Sequence, residues 1–253
     1  MNKKVLLIGG SGTLGRNIKS SKLFKNISSP SKEKLNLLNR LQIRGYLSKN
    51  FDLVINCAAL ARIKICEQKP ILAKKINIYG ALNLVNELKK LNKKNDKKIK
   101  LIHISTDGVY PSTKGNYKEK STLKPYNIYG WTKYFAEKIV KKYSNSIIIR
   151  TRFFDKNKIK FDTAATDIYT SMIEVKKLVK EIYLVANSPF KGVINIGSKR
   201  QSDYQNYVKY KQKIKPCKRK DIIKNLRFIL AKDASLNISK LTNLKKKWKK
   251  NYQ

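Results

Sequence analysis

KVLLIGGSGTLGRNI, Lys4 to Ile18, constrains the fold of this chain more than any other stretch. A short apolar run passes directly into Gly9, Gly12 and Gly15, spaced G-x-x-G-x-x-G, and the chain then resumes with helical periodicity. Glycines allow a tight turn and a close backbone approach to a pyrophosphate, and the positive end of the helix that follows meets the same anion. A purely structural turn is the competing explanation. Three glycines between an opening strand and a helix favour a dinucleotide site at Gly9, Gly12 and Gly15.

The rest of the first half repeats the alternation. FDLVINCAA, KIKLIHISTD and SIIIRTRF read as strands, separated by PILAKKINIYGALNLVNELKKLN and YGWTKYFAEKIVKKYS as helices. Strands alternating with helices imply right-handed βαβ crossovers. The fold class is therefore α/β, a Rossmann-like doubly wound parallel sheet with a small, shortened C-terminal lobe. After Phe154 the pattern weakens: DKNKIKFDTAATDIYTS reads as loop, MIEVKKLVKEIYLVAN as a helix and KGVINIG as a strand that returns to the sheet. SDYQNYVKYKQ and ISKLTNLKKKW are short helical candidates in a basic remainder. The expected division is 1–154 for the dinucleotide-binding domain, with strand 192–197 rejoining it, and 155–253 for the substrate lobe.

At 253 residues and 41% hydrophobic, the chain can build one core. No apolar run approaches the roughly 20 residues a membrane span needs, and no secretory signal pattern is seen. Cys57, Cys66 and Cys217 lack metal-ligand spacing, so no metal is expected, and they read as reduced thiols of a cytoplasmic protein. The 58 basic and 16 acidic residues give +42. Lys-rich runs without Arg forks or regular aromatic interleaving fit a compositional bias better than specific nucleic-acid binding.

Where a dinucleotide site often carries an acid for the ribose, the chain reads SSPSKEKLNLLN, whose one carboxylate, Glu33, lies between Lys32 and Lys34. Hydroxyls and cations suit a 2′-phosphate, which favours NADP and leaves NAD open; a solvated basic loop is the plainer explanation. YNIYGWTK then places Tyr129 and Lys133 four residues apart, on one helical face. A nearby ammonium is expected to lower the phenol pKa and make Tyr129 a usable acid or base. The Gly-rich turn, NCAA, STD and Y-x-x-x-K all fall at the carboxyl edge of such a sheet, where ligands bind. His103 alternates with apolar neighbours and reads as a core residue. Cys57 reads as a packing residue, and Asn77 and Tyr79 as helix-packing or strand-end contacts.

GGSGTLG, VINCAAL, KINIYGALNLV, HISTDGVY, KGNYKE, YGWTKYFAEKIV and IIIRTRF together resemble the dTDP-4-dehydrorhamnose reductase family of sugar-nucleotide reductases, within the extended short-chain dehydrogenase/reductase superfamily. The likeness thins after about residue 155 and returns at GVINIGS and KDASLNISKL. It implies NADPH-dependent reduction of a nucleotide-linked 4-keto-6-deoxy sugar, with a nucleotide sugar as substrate and a homodimer left open. Tyr129 would protonate the reduced carbonyl oxygen, Lys133 would lower its pKa and hold the nicotinamide ribose, and Thr106 would polarise the carbonyl beside Asp107. Gly12, Thr13 and Leu14 would cover the pyrophosphate, Asn36 and Leu37 would flank the adenine, Ala58, Ala59 and Leu60 would line the cofactor, and Phe153 would lie near the substrate. The chain departs from the family at Asn36, where an Asp is usual, at a stretch missing after RTRFF, and at YTSM, Tyr169 to Met172, in place of a Pro-Thr loop. Dehydratases resembling this segment carry an acid after the Asp, where this chain has Gly108, which argues against dehydration. A sugar-nucleotide epimerase and a non-catalytic NADP-binding regulatory subunit, the role of one relative of the family toward methionine adenosyltransferase, are the alternatives.

Overall fold

The computed structural model describes residues 3–94, 98–224 and 229–250; part of the Lys-rich run KKLNKKNDKKIK, 89–100, lies outside them. β1 (Lys4–Ile8) leads into α1 (Thr13–Ser20), then β2 (Asn26–Ser28), α2 (Arg40–Leu47), β3 (Leu53–Asn56) and α3 (Ile63–Gln68). α4 (Pro70–Lys74) runs through a π-helical turn, Lys75–Tyr79, into α5 (Gly80–Lys94). β4 (Lys100–Ile104), α6 (Ile128–Val140) and β5 (Ser146–Arg150) follow. These strands, with a later one, form a six-stranded parallel sheet in the order β2-β1-β3-β4-β5-β10, where β10 is Gly192–Asn195.

The strands are apolar throughout because both faces are covered. Leu7, Ile55, Ile102 and Ile147 lie side by side in register and belong to the layer that buries α1 and Val175–Ala186. Leu6, Val54 and Leu101 point the other way, into the layer under α2, α5 and α6. After β1 the chain moves outward to β2, then crosses back to β3 on the opposite side. The carboxyl ends of β1 and β3 therefore diverge into a crevice, the place where ligands enter sheets of this kind.

The second half holds β6 (Phe153–Phe154), β7 (Thr163–Ala165), β8 (Tyr169–Thr170), β9 (Ile173–Glu174), α7 (Val175–Ala186), β10, β11 (Gln201–Ser202), α8 (Asp203–Tyr207), β12 (Lys215–Cys217), α9 (Arg219–Ile223) and α10 (Ser239–Lys250). The segment expected as loop, 155–171, contains β7 and β8. They pair with β12 and β11, partners about 30 to 50 residues downstream that no local pattern reveals. The expected helix from Met172 starts instead at Val175, because Ile173–Glu174 pairs with β6 and the Glu174 side chain caps the helix at the Lys177 N–H.

Candidate active site

Gly9 leaves β1 with φ 85°, in the left-handed region, and a Cβ on it would fall 2.6 Å from the Ala58 nitrogen. The glycine turn thus presses against the residues that follow β3. Gly12 is the N-cap of α1 and offers no side-chain acceptor, whereas Asn39, Asn127 and Glu174 cap α2, α6 and α7. The first-turn N–H groups of α1 are left for an anion, at the positive end of the helix. A cleft of about 670 Å³, ample for a dinucleotide half, opens over the turn; among its lining residues are Gly9, Gly12, Asn36, Leu37, Ala58, Ala59 and Leu60.

Leu14 and Gly15 contribute differently from what the motif implies. The Leu14 side chain is buried in the core layer, so Leu14 can offer a phosphate only its backbone, and Gly15 packs on the Gly9 carbonyl. Thr13 opens α1 beside the cleft without lining it. At the far end Lys19, Ser29, Ser31, Lys32 and Glu33 form the rim, and a hydrogen bond from the Ser31 hydroxyl lowers the Glu33 carboxyl pKa. Asn36 turns its side-chain oxygen back to the Leu38 N–H at 3.0 Å. Asn77, projected from the π-helical turn, grips Leu60 at its N–H (2.8 Å) and carbonyl (3.1 Å) and donates to the Thr132 hydroxyl at 2.8 Å. It braces the wall of the cleft.

Thr106 closes β4. Its hydroxyl accepts from the Gly108 N–H at 3.1 Å and donates to Asp107 Oδ1 at 3.1 Å. With its one hydrogen so placed, Thr106 can only accept in its hydrogen bond with Tyr129, so the phenol carries its proton. Burial pushes the Tyr129 pKa well above the ordinary phenol value; Asp107 and Cys66 add to this, and the Thr106 bond and Arg152 offset part of it. This corrects the lowered pKa expected from the Tyr–Lys spacing.

Lys133 is 2% exposed, and its Nζ lies 3.1 Å from His103 Nε2. Burial lowers its pKa to about 8, opposed by Glu137 and Cys57. His103 is buried as expected, but as a bonded polar group. Its Nδ1 lies 3.3 Å from Asn56 Nδ2, and burial, with Lys133 adding, holds its pKa well below the usual value, so the ring is neutral. One turn along α6, Glu137 accepts from Ser105 at 2.6 Å and from Arg150 at 2.6 Å, a buried pair that cancels its own charge. Burial raises the thiols of Cys57 and Cys66 to about 12 and 11, so both stay protonated and unreactive.

Phe153 packs on the core layer. The residue before it, Arg152, reaches the centre instead, with Nε 2.7 Å from Asp107 Oδ2. Burial raises the Asp107 carboxyl pKa while Arg152 pulls it down. Across from them Asp203, at the start of α8, is raised to about 6 by burial; Arg152 opposes that shift and Asp107 adds to it. Sequence reasoning missed both. Arg152, a charge two residues past a buried strand, was a readable signal; Asp203 is brought near only by the folding of the lobe.

The model of the RmlD substrate binding domain matches residues 3–187. Among curated relatives, methionine adenosyltransferase 2 subunit beta of Xenopus tropicalis is 32% identical over 151 residues, covering 54% of this chain and 42% of that protein. The dTDP-4-keto-6-deoxy-D-glucose reductase of Streptomyces niveus is 30% identical over 146 residues, covering 55% and 48%. The chain thus spans less than half the length of these two curated relatives. A dTDP-4-dehydrorhamnose reductase of Bacillus anthracis in complex with NADP superposes with a TM-score of 0.82 at 21% identity, over 96% of this chain and 91% of that one. A hypothetical dTDP-4-dehydrorhamnose reductase from Sulfolobus tokodaii gives 0.81 at 27% identity, over 95% and 94%.

Proposed function

The chain belongs to the RmlD substrate binding domain family, and on that premise we propose that it is an NADPH-dependent reductase of a nucleotide-linked 4-keto-6-deoxy sugar. The observation that carries this reading is the protonated Tyr129 phenol hydrogen-bonded to Thr106 at the carboxyl edge of the sheet. A phenol that keeps its proton is a donor, the role reduction of a carbonyl requires.

The dinucleotide, when bound, supplies the hydride. Gly9, Gly12 and the backbone of Thr13 and Leu14 would hold its pyrophosphate, with Gly15 letting the turn close, while Asn36 and Leu37 would flank the adenine and Ala58 to Leu60 would line its path. Ser29, Ser31, Lys19 and Lys32 at the rim suit a 2′-phosphate, which supports NADP over NAD. Thr106 and Tyr129 receive the substrate carbonyl, and Tyr129 gives its proton to the carbonyl oxygen. Asp107, pinned by Arg152, fixes the direction of the Thr106 hydroxyl. A Cβ at Gly108 would meet only the Thr106 side chain at 3.5 and 3.6 Å, ordinary contact. Packing therefore does not demand glycine there, and its presence leaves Tyr129 as the proton donor rather than an acid suited to dehydration.

The likeness to methionine adenosyltransferase 2 subunit beta favours a second reading, a non-catalytic NADP-binding regulatory subunit. One experiment separates the two: nicotinamide absorbance of purified protein with NADPH and a dTDP-4-keto-6-deoxy sugar. The reductase consumes NADPH, and Tyr129→Phe lowers kcat by about 10²–10⁴-fold while NADPH affinity stays. NADPH binding without turnover removes the reductase reading, and full turnover in Tyr129→Phe removes Tyr129 as the proton donor.

Among the described residues no helix is long and apolar enough to cross a membrane. With its free cysteines, the chain fits our placement in the cytoplasm. α6 also exposes Trp131 and Phe135, 42% and 44% accessible and stacked 6.0 Å apart. Two adjacent aromatics on one helix face support a second copy of the chain as a partner.

A further inference from the structure

Asn56 and His103 stand opposite each other in register on β3 and β4, on the face of the sheet that α6 covers. The Asn56 amide is oriented by its own turn, since Oδ1 accepts from the Ala58 N–H at 3.1 Å. Its Nδ2–H therefore points at His103 Nδ1, 3.3 Å away. An amide N–H can only donate, so Nδ1 has to accept, and the single hydrogen of a neutral imidazole sits on Nε2. Nε2 faces Lys133 Nζ at 3.1 Å. An Nε2–H there needs a lone pair on Nζ, which an amine has and an ammonium lacks.

The other arrangements each bring donors together. Turning the Asn56 amide over sets its NH₂ against the Ala58 N–H. An imidazolium places N–H groups against both Asn56 and Lys133. The charged and titratable groups around Lys133 leave the argument intact. The turn after β3 brings the protonated Cys57 thiol, β5 brings Arg150 already paired with Glu137, and α6 itself brings Glu137 and the protonated Tyr129.

We propose that His103, oriented by Asn56, is a positioning residue that favours the uncharged amine of Lys133 in the free site, and that its imidazole changes tautomer when Lys133 takes a proton. The ammonium state moves the ring hydrogen to Nδ1 and gives up the Asn56 bond, so the two residues titrate as a coupled pair. On the reductase reading, on which this consequence rests, an uncharged Lys133 does not draw the proton from Tyr129 before the site fills.

His103 is the one histidine in the chain, so ¹⁵N-histidine labelling of the whole protein gives a single imidazole. Long-range ¹H–¹⁵N correlation distinguishes Nε2–H, Nδ1–H and imidazolium. The expected result is Nε2–H at about pH 9.5, converting to Nδ1–H with one midpoint near the Lys133 value of about 8, and no imidazolium in that range. Asn56→Asp supplies an acceptor for Nδ1–H and raises the midpoint by about one pH unit or more. Lys133→Met removes the titration and leaves Nε2–H throughout. Nδ1–H already present at about pH 9.5, or a tautomer that ignores pH in the wild-type chain, overturns the proposal. The measurement uses neither substrate nor turnover, so its failure leaves the reductase reading standing, and an inactive chain can still show the switch.

Discussion

Replacing Gly12 and Gly15 by alanine, one at a time, separates the anion site from the packing that builds it. At Gly15 an added Cβ would lie 2.3 Å from the Gly9 carbonyl oxygen and 2.6 Å from Gly10 Cα, backbone atoms that cannot swing aside. Overpacking of that kind costs about 1–3 kcal/mol. Contacts this short against backbone put the cost at about 2–3 kcal/mol, and alanine within a helix recovers roughly 0.5–1 kcal/mol, so the net loss is about 1–2.5 kcal/mol. For a chain of this size that lowers Tm by about 2–10 °C. At Gly12 the nearest atom, the Gly9 carbonyl oxygen, is 3.5 Å from the added Cβ, so packing is undisturbed and only the poorer N-cap counts, about 0.5–1 kcal/mol. The same Cβ enters the cleft where the pyrophosphate approaches, and a tenfold weaker Kd for NADPH, about 1.4 kcal/mol, is expected. Thermal unfolding of the free protein and titration with NADPH read the two effects separately. A Gly12→Ala protein that binds NADPH as tightly as the wild type refutes the phosphate role of the turn. An unchanged Tm in Gly15→Ala refutes the packing argument.

Asp203 in the folded chain holds its proton up to about pH 6, above the ordinary carboxyl value, so its contribution to stability is complete in acid and is lost as pH rises through that value. Asp203→Asn should therefore melt higher than the wild type at about pH 7 and level with it at about pH 3.5; a difference equal at both pH values contradicts this. Trp131→Glu places a charge on the exposed aromatic face of α6. Light scattering should read two chains in the wild type and one in the variant, and a single-chain mass for the wild type removes the dimer.

The parallel sheet was legible because each of its longer strands is a short apolar run between turn residues, and burial on both faces permits no polar alternation. β2, Asn26–Ser28, was not: three residues, exposed or half-buried, carry no period. α2 hides its two buried positions, Ile43 and Leu47, among arginines and a glycine. In the site, the glycine turn and the residues after β3 could be placed from local order alone. The charge states could not. Tyr129 and Lys133 share a helix face, yet the phenol answers to burial and Asp107 while the amine answers to burial and Glu137 and lies against His103, a strand residue 30 positions earlier. Alternation with apolar neighbours marks His103 as buried and is silent on what its two nitrogens touch. Arg152 reaches Asp107 because β5 ends beside β4, and Asp203 approaches both because α8 folds back over them; neither distance is written in spacing.

The π-helical turn at Lys75–Tyr79 gives the cofactor wall a particular kind of fragility. It holds one residue more than a regular helix of the same rise, and that surplus residue sets the direction in which Asn77 points. Loss of a single residue there would mend the helix and improve its hydrogen bonding. It would also swing Asn77 about a quarter of a turn away, leaving the Leu60 N–H without its acceptor and taking one donor each from the Leu60 carbonyl and the Thr132 hydroxyl. In this chain a more regular helix would make a looser site, so the irregularity is a lock whose key is one residue of length.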